Sequence, residues 1–121
     1  MDFSLSNDQL AFKSMVQSFV TNRWTPFASK WDVEKTLPVD ALKEAADLGL
    51  AGIYIDDKLG GTGLGRLDAA LIFEELSTAC PSTAAFLSIH NMAAWMISKY
   101  GTKYQHETIL SKLISMDFIA S

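Results

Sequence analysis

Residue types that carry chemistry are few here, and most fail on spacing. Gly60-Gly61-Thr62-Gly63-Leu64-Gly65 is the first candidate, because glycine-rich loops cradle phosphates. A dinucleotide fingerprint begun at Gly61 needs its third glycine where Arg66 stands. Gly60 and Gly65 have the P-loop spacing, but Arg66-Leu67 replaces the phosphate lysine and the magnesium hydroxyl. The loop reads as one that needs positive φ angles before a helix.

Acid–base and metal chemistry fare no better. Glu74 and Glu75 are adjacent on a helical pattern and point in different directions. No glutamate has a histidine three residues later, so the di-iron pattern of helical bundles is missing, as is zinc-type Cys/His spacing. Cys80, just before Pro81, reads as a small buried hydrophobe. His90, in an apolar segment, reads as a satisfied core histidine, and His106 as a solvated residue in a first helical turn. Ala84, Ala85, Ser88 and Met92 form a stripe of small or flexible side chains. Such a stripe either lets helices pack closely or leaves room for a ligand, and spacing alone favours packing.

The elements that must position these residues are helices. Ser6-Asn7-Asp8-Gln9 is a capping box, flanked by Leu5 and Leu10 in staple positions, and starts a helix over about Asn7–Arg23. Thr25-Pro26 opens a second helix that ends near Lys35, and Pro38 a third that stops at Gly49. Leu50–Ile55 is a brief strand or a buried extended connection. A fourth helix over Leu67–Ser77 is apolar almost all round and should be buried. A fifth runs from Pro81 to about Tyr100, and Thr102, with Gln105 three residues on, caps a sixth whose inner face is Ile109, Leu110 and Leu113. Phe118-Ile119-Ala120 looks like the start of a strand. The expected fold is all-α, a single-domain bundle of about six helices.

Composition bounds the function. The 121 residues are 49% hydrophobic and 20% charged, which suits a globular core. A net charge of -4 with scattered Lys and Arg carries no nucleic-acid footprint. One cysteine fits a reducing compartment. The N-terminus has no secretory signal, and Thr83–Ile97 is too short and polar for a membrane span.

Three stretches in order resemble acyl-CoA dehydrogenases: Trp31-Asp32 with Leu37-Pro38 and Leu48-Gly49-Leu50; Leu59 through Gly65; and Phe73-Glu74-Glu75-Leu76 running into Cys80-Pro81-Ser82-Thr83. Ser88 through Ile97 is similar to the isobutyryl-CoA dehydrogenase branch, which handles short branched acyl groups. The resemblance implies the helical N-terminal domain of a three-domain subunit, usually a homo-tetramer, with FAD between the domains. It implies α,β-dehydrogenation of an acyl-CoA, with electron-transferring flavoprotein as acceptor, in the cytoplasm or the mitochondrial matrix. It places Ala84, Ala85, Ser88 and Met92 on the acyl pocket wall. None of Glu34, Glu44, Glu74, Glu75 or Glu107 matches the family's catalytic glutamate, so no catalytic residue and no retained FAD are expected of this chain alone. A non-catalytic helical interaction module of the same fold is the competing expectation.

Overall fold

The computed structural model describes residues 1–121. Helices α1 (Asn7–Arg23), α2 (Ala28–Glu34), α3 (Val39–Asp47), α4 (Arg66–Ser77) and α5 (Pro81–Tyr100) are followed by α6, which joins Lys103–Gln105, a π-helical His106–Leu110 and Ser111–Ile114. There are no strands. No helix is long and apolar enough to cross a membrane.

Local chemistry sets the helix ends. Ser6 accepts the Gln9 amide N–H at 3.1 Å while the Gln9 side chain accepts the Ser6 N–H at 3.0 Å, so the capping box is made in full. Thr102 and Gln105 repeat it at α6. The Asp68 carboxylate accepts the Gly65 N–H at 2.9 Å and fastens the start of α4. Pro81 occupies the first turn of α5, where its missing N–H costs nothing.

α1 packs on α4, and α4 on α5. Their shared core holds Val16, Val20, Trp24, Leu42, Ile53, Ile72, Leu76 and Leu87, all 2% exposed or less. A second small cluster of Ile55, Ala94, Leu110 and Leu113 joins α5 to α6.

Several expectations need correction. Leu50–Ile55 is neither strand nor extended: it is a series of turns whose residues are mostly buried. Its backbone polar groups bond to helix and loop partners rather than to a strand, with Leu50 N–H on the Ala45 carbonyl and Ile53 N–H on the Asn91 side chain. The Phe118–Ala120 segment forms no strand either, because Phe118 N–H bonds the Lys112 carbonyl and Ala120 N–H bonds His90. α2 starts at Ala28 rather than Pro26, since Phe27 and Ala28 first turn back onto the Trp24 carbonyl. Nor is α4 buried all round: Leu67 is 63% exposed, and Ala70 is also open to solvent.

The glycine loop is structural. Gly60 and Gly63 have φ of 92° and 72°, which L side chains rarely adopt. Gly61 lies so close to Ile55 that a Cβ would collide with its carbonyl.

Candidate functional site

α5 is the helix on which the candidate residues converge. Its inner side carries Thr83, Ala84, Leu87, His90, Asn91 and Ala94, all buried. Its outer side carries Ala85, Ile89, Met92 and Met96, with Ile89 44%, Met92 52% and Met96 56% exposed. The stripe read from the sequence is therefore divided. Ala84 belongs to the core, where its small side chain lets α5 sit close to its neighbours. Ala85 and Met92 face outward, and half-buried Ser88 lies at the edge, its hydroxyl donating to the Ala85 carbonyl at 2.7 Å.

Two buried polar residues hold α5 in place. Asn91 accepts the Ile53 N–H at 2.8 Å and donates to the carbonyls of Leu50 at 2.8 Å and Leu87 at 2.9 Å. His90 has one ring nitrogen 2.7 Å from the Leu113 carbonyl and accepts the Ala120 N–H on the other at 3.2 Å. Burial pushes the His90 pKa below its ordinary value, against the opposing Leu113 bond. With both nitrogens bound to backbone and the ring fully buried, His90 is a satisfied core histidine and not a base.

His106 departs from its expected solvated position: it is half-buried, with a ring nitrogen 3.1 Å from the Ile97 carbonyl near the end of α5. Cys80 is half-buried rather than fully so, its Sγ 3.0 Å from the Thr83 hydroxyl. Glu74 is exposed, while Glu75 is buried and reaches Lys13 at 3.5 Å.

Sequence reasoning missed Asn91, although a lone amide in an apolar helix is a usable signal. It also missed the stack around Arg66, whose guanidinium lies 3.8 Å from the centre of the Tyr54 ring and 4.8 Å from that of Trp95. Burial raises the Tyr54 pKa, and the Arg66 charge works against that rise. No sequence signal links these three, because they come from a turn, a helix start and a mid-helix position. A cleft of about 580 Å³ lies apart from α5, between the end of α1, α2 and α3, and is lined by Phe27, Trp31, Leu37, Val39 and others.

Such an arrangement offers an apolar helical wall on a rigid bundle, without a nucleophile–base pair. Comparison with known proteins says what bundle it is. The profile of the acyl-CoA dehydrogenase N-terminal domain matches residues 6–117. The chain belongs to the acyl-CoA dehydrogenase N-terminal domain family. It is 50% identical over 117 residues to the mitochondrial isobutyryl-CoA dehydrogenase of Dictyostelium discoideum, covering 97% of this chain and 28% of that one. The Bos taurus enzyme of the same name is 39% identical over the same share of each chain. Among solved structures, a glutaryl-CoA dehydrogenase in complex with glutaryl-CoA superposes with a TM-score of 0.93 at 30% identity, over 99% of this chain and 31% of that one. This acyl-CoA dehydrogenase domain thus spans less than a third of the length of these relatives.

Proposed function

We propose that this domain is the N-terminal part of an FAD-dependent acyl-CoA dehydrogenase acting on a short or branched acyl-CoA, and that α5 is a wall of its acyl pocket. The observation that carries the reading is the outward face of α5, where Ala85, Ile89, Met92 and Met96 form an apolar strip beside Ser88. Likeness to isobutyryl-CoA dehydrogenases at 50% and 39% identity supports the substrate class.

Such a wall acts by exclusion. A thioester becomes easier to deprotonate at its α carbon where water is kept out and its carbonyl is polarised by fixed dipoles. Small Ala85 and Ser88 leave room for the acyl chain, flexible Met92 conforms to it, and Ala84 backs the wall from the core. Proton abstraction belongs to a carboxylate outside this chain.

Bound flavin would accept the β hydride. The strip does not by itself fit a flavin, because Ala85, Ile89, Met92 and Met96 present no hydrogen-bond donor to the polar edge of its ring system. FAD binding is accordingly assigned to other parts of the protein. The same open face is covered by those parts or by another subunit of a homo-oligomer, and electron-transferring flavoprotein is the acceptor this reading assigns. A reducing compartment, cytoplasm or mitochondrial matrix, fits the single half-buried thiol.

The test compares two proteins. The complete protein that carries this domain should bleach its flavin band when isobutyryl-CoA is added, whereas the 121-residue chain mixed with FAD and desalted should retain no flavin. A complete protein without flavin or without response to any short acyl-CoA would overturn the proposal.

A further inference from the structure

His90 hydrogen-bonds two separate stretches of backbone, one through each ring nitrogen. It projects from the middle of α5 and is 0% exposed. Its Nε2 lies 2.7 Å from the Leu113 carbonyl, in the last turn of α6, which also accepts the Met116 N–H at 3.1 Å. On the other side, Nδ1 lies 3.2 Å from the backbone N–H of Ala120. A backbone N–H is only a donor, so Nδ1 must offer a lone pair, and the ring proton must sit on Nε2 and point at the Leu113 oxygen. Only the neutral Nε2–H imidazole satisfies both partners.

The segment it bonds is also packed on the bundle, through buried Met116 and through Ala120 on the Ile55, Ala94, Leu110 and Leu113 cluster. After α6 the chain reverses through Met116, a buried residue with φ of 63°. Phe118 N–H bonds the Lys112 carbonyl at 3.0 Å, and the next backbone bond back to the bundle is that of Ala120 to His90. Phe118 and Ile119 are 45% and 40% exposed, so Ala120 is the last side chain of this segment that packs on the bundle, and its N–H is the group His90 binds.

We infer that His90 is a proton-operated latch: neutral, it clasps the Ala120 backbone against α5, and a proton on Nδ1 breaks that clasp. A second proton would set an N–H against the Ala120 N–H, exchanging an attraction for a repulsion inside a buried site. Surrounding charges do not offset this, because each has another partner or none. Glu107 on α6 pairs with Lys103, Lys112 stacks on Phe118, and Asp117 bonds Ser115. His106 is engaged by Ile97, and Asp56, Asp57, Lys58 and Lys99 make no bond to the ring. No carboxylate comes within 4.0 Å of either imidazole nitrogen. The burial that holds the ring neutral also means that its protonation must come with movement. The latch is independent of the acyl-CoA reading.

Nitrogen NMR of the unsubstituted protein, with amide exchange read at Ala120, tests the latch. At about pH 7.5 the His90 shifts should report the Nε2–H tautomer, and the Ala120 amide should be protected. At about pH 5, after correction for intrinsic rates, that protection should fall about tenfold, the worth of one hydrogen bond, while amides inside α5 keep theirs. His90→Gln keeps a donor for Leu113 but no acceptor for Ala120, and should lose the protection at both pH values. His106→Gln should leave the pH response intact. An Nδ1–H tautomer at neutral pH, an Ala120 amide whose protection ignores pH, or a response abolished by His106→Gln would each overturn the inference. The measurements on the unsubstituted protein decide the matter even where His90→Gln fails to fold.

Discussion

Asn91 accepts the N–H of Ile53, 38 residues earlier in the chain, at 2.8 Å, and so fastens the mid-point of α5 to the buried turns after α3. The same amide donates to the Leu50 and Leu87 carbonyls. Asn91→Leu has nearly the right volume but leaves the Ile53 N–H without a partner in the core. The expected loss is about 3 kcal/mol, read from urea denaturation, since each buried polar group left unpaired costs about 1–3 kcal/mol. A loss below about 1 kcal/mol would mean that water reaches the vacated site.

Gly61 and Gly65 should respond in opposite ways to one added methyl group. A Cβ at Gly61 meets the Ile55 carbonyl at less than contact distance, and the obstacle is backbone, which yields at high cost. Gly61→Ala should therefore destabilise by about 3 kcal/mol or more. Gly65 has φ of -87°, and its Cβ would meet only the Asp68 side chain at 3.4 Å. Gly65→Ala should cost no more than about 1 kcal/mol, the usual penalty for alanine at a helix cap. Paired thermal melts of the two variants check the contrast.

Ser88 tests the pocket wall. In the complete protein, Ser88→Phe should lower kcat/KM for branched and longer acyl groups more than for the shortest substrate. One methylene in such a pocket is worth about 1–3 kcal/mol, so a whole ring should change the ranking of acyl chains. Overpacking would instead reduce folded yield and depress all substrates together, which a parallel stability measurement detects. An unchanged ranking at normal stability would remove Ser88 from the pocket.

Stability should depend on His90 in acid. Burial lowers its pKa from 6.5 in the folded protein, while the unfolded chain titrates near that ordinary value. Between the two values the unfolded chain binds more protons, so stability rises with pH there. The His90 contribution is complete above 6.5 and is lost as pH falls from there through the folded value. Urea midpoints measured across this range should decline toward acid in the parent and decline less in His90→Gln.

Helix placement was legible in the sequence because its signals are local. The capping boxes at Ser6 and Thr102 and Pro81 at the head of α5 act within one turn of the backbone. Family membership was legible for a related reason: ordered short motifs along the chain survive without knowledge of contacts. What only the tertiary structure decided was the fate of side chains whose partners lie far along the chain. Ala84 and Ala85 are adjacent and alike, yet one is core and the other surface, because α4 covers only one side of α5. Leu50–Ile55 has the composition of a strand but bonds to Asn91 and to helix ends, so no strand forms. Arg66 stacks on rings 12 residues before it and 29 after it, and His106 bonds a carbonyl on the preceding helix. Periodicity reports which way a side chain leaves its own helix, and only packing determines what waits there.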